Sequence, residues 1–190
     1  MASNLLTTAR LRLEPYTDAH VEGLHRLNSD PEVMRFLTGQ PDTLEQTRHI
    51  VERVQARWRE QGTSWWSFIE RASGEIIGAG CIQPLRREPA PEPDPACPLE
   101  IRWRLRHDRW HQGFASEAAR AMADFAFGTL HARELYAVCN PDNTASSTVM
   151  KRLGMDHLGL ETWYGKPLTT YRISAEQWEA RATAGGQAPT

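Results

Sequence analysis

Residues Trp110-His111-Gln112-Gly113-Phe114-Ala115-Ser116-Glu117 form a short segment with Gly and Ala at its centre, set between two strongly patterned runs. Before it, Leu99 to Leu105 reads as a strand. After it, Ala118, Met122, Phe125, Ala126 and Thr129 recur at helical spacing, while Glu117, Arg120 and Asp124 gather on the opposite face. A chain with this order must turn abruptly from strand into helix. Ser116 suits the cap of that helix, and Glu117 in its first turn suits the dipole. Main-chain N–H groups at a helix start are unpaired and positive, and small residues let an anion approach them, so a phosphate-bearing ligand fits such a turn.

A second strand-like run, Glu134 to Cys139, follows the helix. Strand, helix and strand make one βαβ unit, with parallel strands and a right-handed crossover. The turn then lies at the carboxyl end of the first strand, where open α/β sheets place ligands.

Local signals predict the remaining elements. Ala9 to Glu14 reads as a strand, and Thr17 to Asn28 as a helix ending before Pro31. Thr43 and Gln46 form a capping box, followed by a helix with Thr47, Ile50, Val51, Val54 and Trp58 on one stripe, stopping near Gly62. Ser64 to Glu70 and Glu75 to Gln83 read as a hairpin around Ser73-Gly74. A helix from about Thr144 buries Ala145, Val149 and Leu153 and ends at Gly154. Two last strands flank Gly165-Lys166-Pro167, and a small polar tail runs from Thr183.

Five ordered blocks carry a resemblance. They are Glu100-Ile101, Trp110 to Ala115, Ser116-Glu117-Ala118-Ala119, Asn140 to Ser146 (Asn-Pro-Asp-Asn-Thr-Ala-Ser) and Leu153-Gly154-Met155. With Arg10-Leu11-Arg12-Leu13 and Asp30 to Leu37 upstream, the sequence resembles the GNAT superfamily of N-acetyltransferases, most closely its RimJ/RimL-like branch of ribosomal-protein N-terminal acetyltransferases. The resemblance implies an α/β (α+β) fold with a mixed, mostly antiparallel sheet, a central splayed parallel pair and flanking helices. It implies one acetyltransferase domain over residues 1–182, while the small polar composition of 183–190 is expected to make a disordered tail. It further implies acetyl-CoA as co-substrate and a primary amine, on a small molecule or a protein N-terminus, as acceptor. Direct attack in a ternary complex is the implied route, and a homodimer is compatible with the family's habit. A catalytically silent acyl-CoA-binding module is the alternative reading.

The same resemblance assigns roles. Trp110, His111, Gln112, Gly113, Phe114, Ala115 and Ser116 form the turn that receives the phosphates of coenzyme A. The Leu105 backbone pairs with the pantetheine arm, the Asn143 side chain bonds that arm, and Ser146 protonates the departing thiolate. Many relatives outside this branch carry a Tyr acid where Met150 stands here. Plain alternatives stay open: Asn143 as a helix cap, Ser146 as an inert first-turn residue. Glu100 and Glu161 are candidate general bases or structural carboxylates. Arg102 and Trp103 stand where the family often has Gly and an aromatic, and Met155 replaces a frequent Phe.

Other chemistry fits less well. His107 and His111 lie four apart without the further ligands a metal needs, so no metal site is expected. Cys139 sits in an apolar run and reads as an inert buried thiol rather than a nucleophile. Three widely spaced cysteines make no disulfide framework. Trp65, Trp66 and Trp103 serve the core or line an aromatic acceptor cleft. A net charge of −2 gives no electrostatic reason to bind nucleic acid or an anionic membrane. With no long apolar run and no leader, a cytoplasmic protein is expected. Residues 86–98 contain five prolines and cannot form a helix or central strand. They are either a stiff solvated loop or a segment that shapes acceptor choice.

Overall fold

The computed structural model describes residues 4–90 and 92–185. In chain order its elements are β1 (Leu6–Thr7), β2 (Leu11–Pro15), α1 (Val21–Asn28), α2 (Pro31–Met34), α3 (Leu44–Gln61), β3 (Trp65–Glu70) and β4 (Ile76–Pro84). There follow β5 (Leu99–Leu105), α4 (Phe114–Gly128), β6 (Glu134–Cys139), α5 (Thr144–Arg152), β7 (Asp156–Trp163), β8 (Lys166–Ser174) and α6 (Ala175–Gly185). Short 3-10 turns at Asp18–His20 and His107–Arg109 precede α1 and follow β5. The fold is the mixed α/β one expected, with mostly antiparallel strands and one parallel pair. Its residues group into two compact units, Met1–Gln83 with Ile101–Met122, and Pro84–Glu100 with Ala123–Thr190.

In the first unit, β1, β2, β3 and β4 pair antiparallel in that order, with Leu13 opposite Phe68 and Phe68 opposite Gly78. Leu11, Leu13, Phe68, Ile77 and Met122 are fully buried, so alternate strand residues and the helical stripe build one core. Gly78 and Gly80 are demanded by crowding: a Cβ would stand 2.6 Å from the Arg104 and Arg102 carbonyl oxygens respectively. Their bare backbone lets β5 lie tightly against β4. The capping box of α3 is present, Thr43 N–H donating to Gln46 Oε1 (2.7 Å) and Gln46 N–H to Thr43 Oγ1 (3.2 Å). Gly62 ends the helix in the left-handed region (φ 69°).

In the second unit, β6 pairs with β8 and β8 with β7, all antiparallel, while Glu100 and Tyr136 form the parallel pair. Gly154 (φ 77°) closes α5, and the Met155 N–H returns to the Met150 carbonyl at 3.1 Å. The β7–β8 hairpin turns on Tyr164 (φ 55°) and Gly165 (φ 68°), one position earlier than expected, leaving Lys166 and Pro167 in β8. Trp178 of α6 stacks on Phe127 (5.7 Å) and donates to Asp124 (2.9 Å).

Several local expectations need correction. Helix α4 begins at Phe114, so Ser116 lies inside its first turn rather than at the cap; Gly113, with φ 81°, makes the sharp entry. Thr129 falls beyond the end of α4 and is exposed. Ala145 is exposed too, and Met150 is buried beside Val149 and Leu153. Helix α6 was not foreseen: residues 183–185 of the expected tail belong to it, and 186–190 lie outside the described residues.

Candidate active site

The turn after β5 is tied down by side chains, and among the described residues its amides over 111–116 find no carbonyl partner. Leu105 is buried, and its carbonyl accepts the Trp110 indole N–H at 2.9 Å. The His107 ring lies 4.5 Å from the Trp110 ring, and Gln112 Nε2 donates to the Asp108 carbonyl (3.0 Å). Arg106 bridges Glu75 and Asp108, and Arg109 bridges Asp108 and Glu70, which fixes the 3-10 turn. The Arg106 guanidinium holds the Asp108 carboxyl below its usual range. His111 (φ 59°) and Gly113 (φ 81°) both adopt left-handed backbone. Among the described residues, none of the N–H groups of residues 111–116 donates to a carbonyl, and the first such bond runs from Glu117 N–H to the Gly113 carbonyl (3.1 Å). Four orphan donors are expected at any helix start; here a nest of two left-handed residues extends the row. His111, Gln112 and Gly113 are exposed, Phe114 is buried, and Ala115 and Ser116 are half-buried. The Ser116 hydroxyl is buried without a partner among the described residues.

Glu117 clamps this turn from within α4. Its Oε1 accepts the Thr8 hydroxyl (2.6 Å) and the Arg10 N–H (2.8 Å), and its Oε2 accepts Arg10 Nε (2.7 Å). Arg10 Nη1 in turn donates to the Gln112 carbonyl at 2.9 Å, and its guanidinium lies 4.2 Å from the Phe114 ring centre. Burial pushes the Glu117 carboxyl up, but the bonds from Thr8 and Arg10 outweigh it and hold the group below its usual value. Sequence reading credited Glu117 to the dipole; its larger part is this clamp.

In the second unit, Asn143 and Ser146 meet at the start of α5. Asn143 Oδ1 accepts the Ser146 N–H at 3.1 Å, so the cap is real. The cap uses only the oxygen: among the described residues nothing takes the Asn143 Nδ2 donors, and both residues are half-buried. The cap and ligand readings of Asn143 are therefore compatible. Cys139 is buried beside Ser147 (3.4 Å), and burial raises its thiol pKa, as suits an inert thiol.

Glu100 is fully buried and accepts the Tyr164 hydroxyl. Glu161 is half-buried and accepts the Trp163 indole N–H at 3.0 Å. The proline-rich segment is docked on the same hairpin. Its Arg86 and Arg87 carbonyls accept the N–H groups of Tyr164 (2.9 Å) and Gly165 (2.7 Å). The Arg87 guanidinium stacks 3.7 Å from the Trp163 ring centre, and that of Arg86 lies 5.2 Å from Tyr164. Tyr164 and the Arg10–Glu117 clamp escaped the sequence reading. Alternation along β5 sets Glu100, Arg102 and Arg104 on one face, the signal in the sequence that pointed to Arg104.

A strand, a left-handed turn with free amides and a helix leading to a parallel strand place this chain among α/β proteins suited to an anionic ligand at a helix start. The chain belongs to the GNAT acetyltransferase family: the profile described as "Acetyltransferase (GNAT) domain" matches residues 10–156. It is 31% identical over 173 residues to the uncharacterized protein YkkB of Bacillus subtilis, covering 90% of this chain and 95% of that protein. It is 30% identical over 189 residues to the FsC-acetyl coenzyme A-N(2)-transacetylase of Aspergillus fumigatus, covering 93% of this chain and 79% of that one. The crystal structure of an acetyltransferase from Agrobacterium tumefaciens is similar with a TM-score of 0.73 and 27% identity, covering 91% and 95% of the two chains. No helix among the described residues is long and apolar enough to cross a membrane.

Proposed function

We propose that this protein transfers the acetyl group of acetyl-CoA to a primary amine, on a small molecule or a protein N-terminus, by direct attack in a ternary complex. It acts as one acetyltransferase domain over residues 1–182, in the cytoplasm, and its motif blocks favour the RimJ/RimL-like branch. The observation that carries this reading is the row of unused amides over residues 111–116, held open by the Glu117–Arg10 clamp. Those amides, with Trp110 fixing the turn to Leu105, are suited to the phosphates of coenzyme A.

The chemistry is simple to balance. The amine nitrogen attacks the thioester carbonyl, an oxyanion forms, the carbon–sulfur bond breaks, and the thiolate gains a proton. Ser146 supplies that proton and recovers one from water, and the Nδ2 of Asn143, which nothing among the described residues takes, donates to the pantetheine arm. The nitrogen loses its own proton to water or to a carboxylate, Glu100 and Glu161 being the candidates. An α-amino group is partly neutral near neutral pH, so a weak base suffices.

Two measurements test this. Calorimetry with coenzyme A should show binding, and acetyl-CoA with an amine panel should release free thiol and give acetylated products by mass spectrometry. Ser146→Ala should lower kcat about a hundredfold while leaving coenzyme A affinity unchanged. No binding would end the reading, and binding without turnover across the panel would point to a silent acyl-CoA-binding module.

A further inference from the structure

Arg104 of β5 is an arginine without a carboxylate. In the same unit Arg10, Arg12, Arg106 and Arg109 each lie within 3.3 Å of a carboxylate oxygen. Arg104 has no such ion pair among the described residues. Its Nη2 instead donates to Asn28 Oδ1 at 2.9 Å and lies 3.5 Å from the Tyr16 hydroxyl. Its guanidinium carbon stands over Trp65, 4.6 Å from the ring centre. Asn28 and Tyr16 are 1% and 3% exposed, so the fork is fixed by immobile partners. A guanidinium carries five donors. Nη2 is engaged, the Nε donor is buried without an acceptor, and nothing among the described residues takes the two Nη1 donors. Asp42 feels the charge of Arg104, but among the described residues no hydrogen bond joins them, and burial dominates its raised pKa.

A planar cation whose pose is set in advance, with donors left over, is suited to a carboxylate. Arg104 also adjoins Leu105, the residue assigned above to the pantetheine arm. We infer that Arg104 selects the acceptor by binding a carboxylate on it, so that the preferred amines are amino acids or other amino-carboxylates. The inference rests on the acetyl-transfer reading. It makes Arg104 a specificity residue, with Asn28 and Tyr16 positioning it.

The test uses matched acceptors, L-amino acids and ω-amino acids against their carboxamides, with steady-state thiol release as readout. The wild-type protein should favour the acids in kcat/KM by about tenfold, as expected for a charge-assisted pair. Arg104→Gln should raise KM for the acids about tenfold, leave kcat within about threefold, and leave the carboxamides unchanged. Arg104→Lys should retain part of the preference. As a binding check, N-acetylglycine should stabilise the coenzyme A-loaded wild-type protein more than N-acetylglycinamide does, and Arg104→Gln should abolish the difference. Equal use of acids and carboxamides, or a variant that loses both alike, would overturn the inference while leaving acetyl transfer intact. Failure of coenzyme A to bind would instead remove the reading beneath it.

Discussion

The two segments that flank β5 have opposite chemistry. The one after it, Arg106 to Glu117, is bound by ion pairs, and among the described residues the main-chain N–H groups of 111–116 find no carbonyl partner. The one before it, residues 86–98, loses donors to five prolines and is held through its carbonyls and two arginine faces. A surplus of N–H groups suits phosphate; a segment with few of them cannot compete for it. On the proposed reading, the first segment would receive the donor of the acetyl group and the second could at most meet its recipient.

The sharpest way to break that contrast is Gly113→Val. Its φ of 81° is left-handed, and a Cβ there would stand 3.4 Å from Arg10 Nη2. A branched residue in that region costs about 1–2 kcal/mol or more, so coenzyme A affinity should fall about tenfold in calorimetry, with acceptor preference unaltered. Unchanged affinity would remove the turn from the phosphate site. A smaller effect is expected from replacing residues 88–96 by a Gly/Ser linker of equal length. Relative kcat/KM among acceptors should shift by about threefold, with coenzyme A affinity held within about twofold. If selectivity does not move, the segment is a spacer.

The smallest effect lies in neither segment. His20 is buried against Ser67 and Glu14, and burial lowers its pKa below 6.5 despite Glu14. The unfolded chain therefore takes up a proton first, so stability falls as pH drops below about 6.5 and levels off under the folded-state pKa. His20→Gln should flatten that window, shrinking the stability difference between denaturant titrations at pH 7 and 5.5. Acid loss that persists in the variant would belong to other groups. The Glu117 clamp, whose pKa is lowered, yields only at more acid pH.

What was legible in the sequence was local. The Thr43–Gln46 box, the Ser73-Gly74 hairpin, the end of α5 at Gly154 and the βαβ order all follow from residues a few positions apart. The long-range ties were not legible: Arg10 to Glu117, Arg104 to Asn28 and Glu100 to Tyr164 join residues far apart in the chain. No periodicity reports such a pair. Ser116 was misplaced because its side chain suits a cap, whereas the entry of α4 is set by the backbone at Gly113. The Asn143 cap was legible, but its spare amide appears only once the acceptor atom is located.

Tyr164 carries a bulky ring where the backbone would favour glycine or asparagine. Its hydroxyl reaches Glu100, and its N–H reaches the Arg86 carbonyl, so one uncomfortable residue fastens both a sunken acid and a proline-rich strap. Relaxing the hairpin at that point would give a sturdier corner and a looser neighbourhood. Conformational ease and chemical order pull in opposite directions there, and the chain has settled for order.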